Sequence, residues 1–345
     1  MKKIICLLST VCAAMWVYAD NSPYLSRVYE FVPAPGQFVN ELPKYEEGDD
    51  AQAMCRKAEE QIAHNAQGLI TLGGWGGYVV FGFDHPVVNV PGENDFIVEG
   101  NAFYSDAQQG AAGGGSCEPG IVMVSYDANG NGLPDDAWYE LAGSEYTNPE
   151  TKHGYQVTYE RPAKDHVATP DPKMKYRIDT TFVHWSDNQG ASGYIEQISF
   201  HKQPYYPEWI ESNTLVLQGA RLPDNYTWTN NQYVLYPYAY GYADNHPDNA
   251  PEAQLNIERA VRADGTPVHL SAIHFVKVYT AVHQQCGSIG ETSTEVKGAR
   301  DLHPDATTDI ESVPQAVSVR KVLRNGQVMI IRNKQIYNPL GSIIQ

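Results

Sequence analysis

The chain predicts an all-β fold: a β-sandwich with one short helix near its N-terminus and a small β-hairpin tail at its C-terminus. Three observations carry that expectation. Runs rich in β-branched and aromatic residues recur at 78–83 (YVVFGF), 95–98 (DFIV), 120–126 (GIVMVSY), 155–159 (YQVTY), 214–217 (TLVL), 232–236 (QYVLY) and 272–279 (AIHFVKVY). Most are bounded by Gly, Pro, Asn or Asp, the punctuation of a sandwich or barrel. Helical periodicity is sustained at 51–63, where Ala51, Met54, Ala58 and Ile62 fall on one face.

The remaining segments follow from the same reading. Residues 257–261 are expected to add one short helix. The run 73–77 (GGWGG) has the glycines of a phosphate-cradling loop, but a dinucleotide fingerprint needs a helix after it. A strand follows at 78, so a tight turn between strands is expected. No repeat of fixed period is present. The sandwich is placed at 20–300 and a polar, acidic linker with two prolines at 301–316. The tail, 317–345, is basic where the rest is acidic, and Asn325-Gly326 between two β-branched runs is a hairpin signal, with a second turn near Asn333-Lys334.

Residues 1–19 read as a secretory leader: Lys2 and Lys3, an apolar stretch at 4–17, and a small-residue cleavage site at 17–19. Removing it takes the formal charge from −17 to about −19. An acidic surface repels phosphate backbones, which argues against nucleic acid as a partner. No later run is suited to spanning a bilayer, so a secreted or outer-surface location is expected. Cys55, Cys117 and Cys286 remain beyond the leader, enough for one disulfide and one leftover thiol. Cys117 and Cys286 both sit in Gly-rich loops and are the favoured pair. Cys55 lies in the helical stretch and reads as a buried small hydrophobe.

The segment 127–136 (DANGNGLPDD) carries oxygen ligands at alternating positions. Asp127, Asn129 and Asn131, the carbonyl of Leu133, and the carboxylates of Asp135 and Asp136 could wrap a hard cation, calcium being the expected one. Gly132 permits the sharp turn that points those oxygens inward. The match departs from an EF-hand at its twelfth position, which is Trp138 and not a bidentate Glu. A metal-free turn rich in Asn and Gly is the alternative.

Together with that loop, the segments 28–38 (VYEFVPAPGQF), 72–86 (LGGWGGYVVFGFDHP), 95–103 (DFIVEGNAF), 118–122 (EPGIV), 138–144 (WYELAGS), 240–247 (YGYADNHP) and 290–296 (GETSTEV) carry a resemblance. The chain resembles a family of Bacteroidetes cell-surface proteins of adhesion type, and its tail is similar to the short β segments that direct type IX secretion. The resemblance implies a jelly-roll sandwich akin to galactose-binding domains, which bind through loops at one end. It also implies company with outer-membrane nutrient receptors, including cobalamin-uptake systems.

Aromatic residues crowd between Tyr194 and Tyr242. Tyr205, Tyr206, Trp209, Tyr226 and Trp228 lie in turn-rich sequence, and their flat rings suit stacking on a sugar or a corrin-like ring; packing within the sandwich is the other reading. Asp244 with Asn245, and Glu291 with Glu295 and Asp301, could form a second cation site, and Asp84-His85 is similarly ambiguous. The eleven histidines lack zinc-protease spacing, and no Gly-x-Ser-x-Gly elbow is present. The expectation is a calcium-stabilised binder of a glycan or a corrinoid such as cobalamin, without catalysis. A glycan hydrolase or an adhesin that binds another protein are the alternatives.

Overall fold

β-Branched and aromatic runs pair as antiparallel strands throughout the described residues. In the computed structural model, which describes residues 21–307 and three strands of the tail, the fold is all-β with a single α-helix. The leader and residues 308–319 lie outside the described residues. At the centre of the largest sheet runs the strand Ala272–Thr280, antiparallel to Tyr78–Val88 on one side and to Gly120–Ser125 on the other. Arg27–Val32 extends the sheet past the first neighbour; Trp138–Leu141 and Ala260–Val261 extend it past the second. A four-stranded antiparallel sheet is ordered Ser192–Ile198, Arg177–Asp187, Lys152–Glu160, Thr214–Arg221.

Alternation of side chains along the central strand makes two cores. Val276 and Val278 enter the larger one with Val79, Phe81, Val122 and Val124, closed over by Met54, Ala58 and Ile62 of the helix Ala51–Ile62. Asp50 starts that helix, its side chain accepting from Ala53 N at 2.7 Å, an N-cap that the sequence places where the periodicity begins. On the opposite face, Tyr279 reaches the four-stranded sheet, and its hydroxyl accepts from Ala220 N at 2.9 Å. Between the sheets Trp75, Tyr155, Val157, Tyr159 and Leu217 pack with Val32 and Tyr78, giving sheet-on-sheet burial of the sandwich type. Gly77 is required in the preceding turn: a Cβ there would stand 1.8 Å from the Leu72 carbonyl oxygen. The 73–77 run is thus a strand-to-strand turn that seats Trp75, fully buried, with its Nε1–H donating to Ala220 O at 3.3 Å.

Several expectations need correction. Residues 257–261 form a single 3₁₀ turn, Ile257–Arg259, followed by the short strand Ala260–Val261. The sandwich does not stop at residue 300, because Gly298–Asp301 pairs with Phe96–Glu99 and Asp301 N donates to Pro23 O at 2.7 Å. The first compact unit ends at Ala306, and the second begins at Thr307. Within that second unit Arg320–Arg324, Gln327–Arg332 and Gln335–Tyr337 form a three-stranded antiparallel meander, with Arg324 opposite Gln327; the turn residues themselves lie outside the described residues. No helix among the described residues is long and apolar enough to cross a membrane.

The expected Cys117–Cys286 disulfide is not formed: both are free, buried thiols, and Cys55 is free as well. A line of buried amides stands between the two neighbourhoods. Asn225 Nδ2 donates to Cys117 O at 2.8 Å, and Gln284 Nε2 donates to Asn225 Oδ1 at 2.7 Å and to Thr292 Oγ1 at 2.9 Å. Burial pushes each thiol up to about 12, so neither is a ready thiolate.

Tyr205, Tyr206 and Trp209, expected on a binding platform, are core residues, with 0%, 1% and 8% exposure. Phe31 stacks on Trp209 at 5.8 Å between ring centroids, and Tyr45 flanks it at 6.3 Å. Trp209→Ala should therefore lower folding stability by roughly 3–5 kcal/mol in chemical denaturation, the range for a core aromatic truncated to Ala. A change under about 1 kcal/mol would return Trp209 to the surface.

Candidate functional site

Two of the five aromatic candidates do reach solvent. Tyr226 and Trp228 lie on the strand Tyr226–Thr229, which pairs with Gln232–Leu235 so that Trp228 stands opposite Tyr233. Asn230 and Asn231 join the strands with φ of 51° and 61°, the paired positive φ of a tight hairpin turn, which Asn tolerates better than most residues. The Trp228 and Tyr233 rings meet edge-on at 4.8 Å, and Trp228 is 59% exposed.

This hairpin forms one wall of an open cleft of about 980 Å³. Arg177, Tyr194 and Glu196 of the four-stranded sheet also line it, with Tyr176 of the turn before Arg177 and the turn Gly287–Ile289 with Gln285. Arg177 donates to both Glu196 oxygens and to Asp171, so the guanidinium and carboxylates are fixed in a paired array. Gln285 Oε1 accepts from Glu196 N at 3.2 Å and ties the turn Gly287–Ile289 to that sheet. Exposed ring faces beside a planar ion pair and side-chain amides can stack on a flat or ring-shaped polar ligand and hydrogen-bond its edge.

A smaller cavity of about 110 Å³ shares Tyr194 and Gln285 with the cleft. Trp75, Tyr159 and Trp185 wall it, and His283 and Glu291 bring the polar atoms. Tyr155 donates its hydroxyl proton to Asp187 Oδ2 at 2.7 Å, and His283 Nδ1 lies 3.2 Å from the same hydroxyl oxygen. With the phenol proton committed to Asp187, Nδ1 must be the donor, which leaves Nε2 as an unprotonated acceptor. Burial, with Arg221 nearby, holds that imidazole neutral by pulling its pKa down to about 3. Glu291 is 4% exposed; its Oε1 accepts from Gln37 N at 2.6 Å, while Oε2 has no partner. Burial pushes this carboxyl up to about 8. Gly36 makes room for it, since a Cβ there would come within 2.5 Å of Oε1.

The expected second cation site is rearranged. Asp244 and Glu295 come together with Glu118, one oxygen from each lying within 4.8 Å of the others. Asp244 Oδ1 accepts from Asn101 N and Ala102 N, both at 2.8 Å, and Oδ2 from Glu295 N at 2.9 Å. Burial raises Glu118 to about 7 and holds Asp244 and Glu295 well above the usual carboxylate range, the neighbouring negative charges adding to it. Such a triad could hold a cation of no particular identity. Asn245, expected beside Asp244 as a ligand, turns its amide to Tyr238, donating to its O and accepting from its N, both at 2.8 Å. Asp301 does not join the triad: its Oδ2 lies 2.9 Å from His85 Nε2, and His85 Nδ1 lies 2.6 Å from Asp84 Oδ1.

In the loop 127–136 the named side chains are tied up by hydrogen bonds within the loop. Asp127 accepts from Asn131 N at 3.1 Å and Gly132 N at 2.9 Å, Asn131 Oδ1 from Leu133 N at 2.8 Å, and Asp136 from Ala128 N at 3.0 Å. Asn129 and Asn131 both turn amide nitrogens toward Asp135. Asp127, Asn129, Asn131, Asp135 and Asp136 each accept from an N–H of the loop, and the three carboxylates are not grouped closely enough to share an ion.

Sequence reasoning missed the cavity. Tyr159, Trp185 and His283 converge there from distant segments, and Glu291, singled out as a cation ligand, instead lines the cavity wall. No protein-family model and no curated protein matches the chain.

The buried carboxyls set a pH dependence. A carboxyl whose folded pKa is raised binds a proton that the unfolded chain, with an ordinary pKa near ~4.3, has already lost. Its contribution is full below that value and is lost as pH rises through the folded pKa, about 7 for Glu118 and about 8 for Glu291. His201, His246, His274 and His283, whose pKa values burial lowers, act in the opposite sense below about 6.5, so the acids govern the interval above it. The melting temperature should therefore fall from pH 7 to pH 8.5, and Glu291→Gln should remove part of the fall. A melting temperature that rises over that interval would contradict the burial of these acids.

Proposed function

We propose that this is a secreted or surface-exposed β-sandwich that binds a glycan in the cleft between the Trp228 hairpin and the four-stranded sheet, without transforming it. The supporting observation is the exposed Trp228 ring, braced edge-on by Tyr233 and lining one open volume with Tyr176, Tyr194 and the Arg177–Glu196 pair. Sugar rings present apolar faces to aromatic side chains and hydroxyls to paired charges and amides. Glycoside hydrolysis would need two carboxyl groups placed across the bond at roughly 5–9 Å. Glu196 is the acid that lines the cleft, and Arg177 holds it. A corrinoid, the other ligand suggested by the resemblance to surface proteins near nutrient receptors, is the comparison to run beside glycans.

Calcium belongs to the same reading as a brace for the loop 127–136. Asp127, Asp135 and Asp136 would supply the charge, Asn129 and Asn131 the neutral oxygens, and Leu133 a carbonyl, once the ion replaces the N–H partners.

A glycan array and a cobalamin titration on the mature chain should return a glycan ligand, and Trp228→Ala should weaken it about tenfold or more while the circular dichroism spectrum stays native. Undiminished affinity in that variant would remove the cleft from consideration. Chelation with EDTA should lower the melting temperature by a few degrees, calcium should restore it, and Asp127→Ala should abolish the response. An ion at ~100 times its Kd adds about 2.7 kcal/mol to stability. Identical melting curves with and without EDTA would assign the loop to the metal-free turn.

A further inference from the structure

We propose that the cavity beneath the cleft receives a primary ammonium group carried by the bound glycan, with Glu291 Oε2 and His283 Nε2 as its hydrogen-bond acceptors and Trp75, Tyr159, Trp185 and Tyr194 as its walls. The proposal deepens the glycan reading and rests on it for the rest of the ligand. The cavity itself can be probed without that reading.

The cavity wall holds a buried polar atom without a partner. A buried polar atom without a partner costs stability, and native proteins leave few of them. Glu291 Oε2 is one such atom, on a residue 4% exposed. His283 contributes a second acceptor, because the Asp187–Tyr155 hydrogen bond consumes the phenol proton and fixes the imidazole proton on Nδ1. No hydrogen bond to Nε2 is made among the described residues. Protonated, the Glu291 carboxyl presents a hydroxyl; ionised, it presents an open acceptor in the cavity that His283 also lines, and two such acceptors suit a group that donates more than once. A hydroxyl donates one proton; an ammonium donates three and carries the charge that a carboxylate and aromatic faces both favour.

Size and surroundings agree with that choice. A cavity of about 110 Å³ admits a compact group and excludes a whole sugar ring, and its shared rim of Tyr194 and Gln285 leads into the cleft. Two cations stand at the Tyr155 ring, the Arg221 guanidinium 5.5 Å and Lys152 Nζ 5.6 Å from its centre. Asp224 pairs with Arg221 at 3.2 Å, and Asp187 accepts from the Tyr155 hydroxyl, two carboxylates that offset these charges. The empty carboxyl is held protonated up to about pH 8 by burial, with Glu118 adding to it. Arrival of the cation expels that proton, so binding at neutral pH releases close to one proton per ammonium taken up.

The experiment uses methylammonium, too small to need the cleft, with methanol as the neutral control. Tryptophan fluorescence and calorimetry of the full mature chain report on binding, since Trp75 and Trp185 wall the cavity. Methylammonium should give a saturable response that methanol lacks, weakened at least tenfold by Glu291→Gln. The heat should vary with buffer ionisation enthalpy as one released proton requires. Partially deacetylated chito-oligosaccharides should then outbind their fully acetylated counterparts by tenfold or more, and Glu291→Gln should erase the difference. Equal responses to methylammonium and methanol, or unchanged affinity in a folded Glu291→Gln variant, would overturn the proposal. Retained binding of neutral glycans in that event would leave the cleft reading standing, whereas a methylammonium response with no glycan binding would overturn the cleft reading alone.

Discussion

Antiparallel pairing of Ala272–Thr280 between Tyr78–Val88 and Gly120–Ser125 is the constraint on which the rest of the molecule depends. That strand contributes to both cores, Val276 and Val278 on one face and Tyr279 on the other. Shifting its register by one residue would exchange the faces, burying Lys277 where Val276 or Val278 now sits. The pairing also sets where the chain emerges after Thr280. The segment 281–296 then carries His283, Gln285, Glu291 and Glu295 across the end of the sandwich, so the cleft side, the small cavity and the acidic triad inherit their geometry from one strand.

The strand framework was legible because apolar, β-branched runs leave few alternatives to a buried strand. Every run named from the sequence is a strand, with boundaries moved by a few residues. Arg177–Asp187 and Ser192–Ile198 escaped notice because they lie at the outer part of a sheet with much of its surface half-open, where Thr, His, Ser and Gln are tolerated. Their alternation is diluted by polar residues and interrupted by irregular register between Asp179 and Val183. The second unit's strands were signalled by β-branched runs flanking a turn dipeptide, local properties that need no tertiary context.

The site was legible in kind and not in membership. Trp209 and Trp228 both sit in turn-rich sequence, and nothing local separates them. The difference is tertiary: Phe31 and Tyr45 cover Trp209, whereas Trp228 has Tyr233 across a hairpin and solvent beyond. A cue was available in the Asn230-Asn231 turn, which places Trp228 and Tyr233 opposite each other at the tip of an exposed hairpin. For the carboxylates no cue existed, because burial decides their chemistry and burial is set by distant strands. Asp244 and Asp301 look alike in sequence, but one joins two other acids and the other meets an imidazole.

The four buried acids of this end of the sandwich divide in a way that bears on function. Asp244 accepts from the backbone N–H groups of Asn101, Ala102 and Glu295, and Glu118 from Ser116 Oγ at 3.4 Å, so the fold supplies their partners. Thr71 adds a further donor to Glu295 at 3.3 Å. Glu291 has one oxygen held by Gln37 and the other held by nothing, although Gln284 and Gln285, with donors to give, line the same cavity. Gln284 commits its amide to Asn225 and Thr292. A packed interior that tolerates an unmatched acceptor beside amides that turn elsewhere is not optimised for stability alone. The uncompensated desolvation is on the order of 1–3 kcal/mol, and within the described residues nothing returns it. In the ammonium reading proposed above, a cation arriving from the cleft returns it by pairing with the ionised carboxylate.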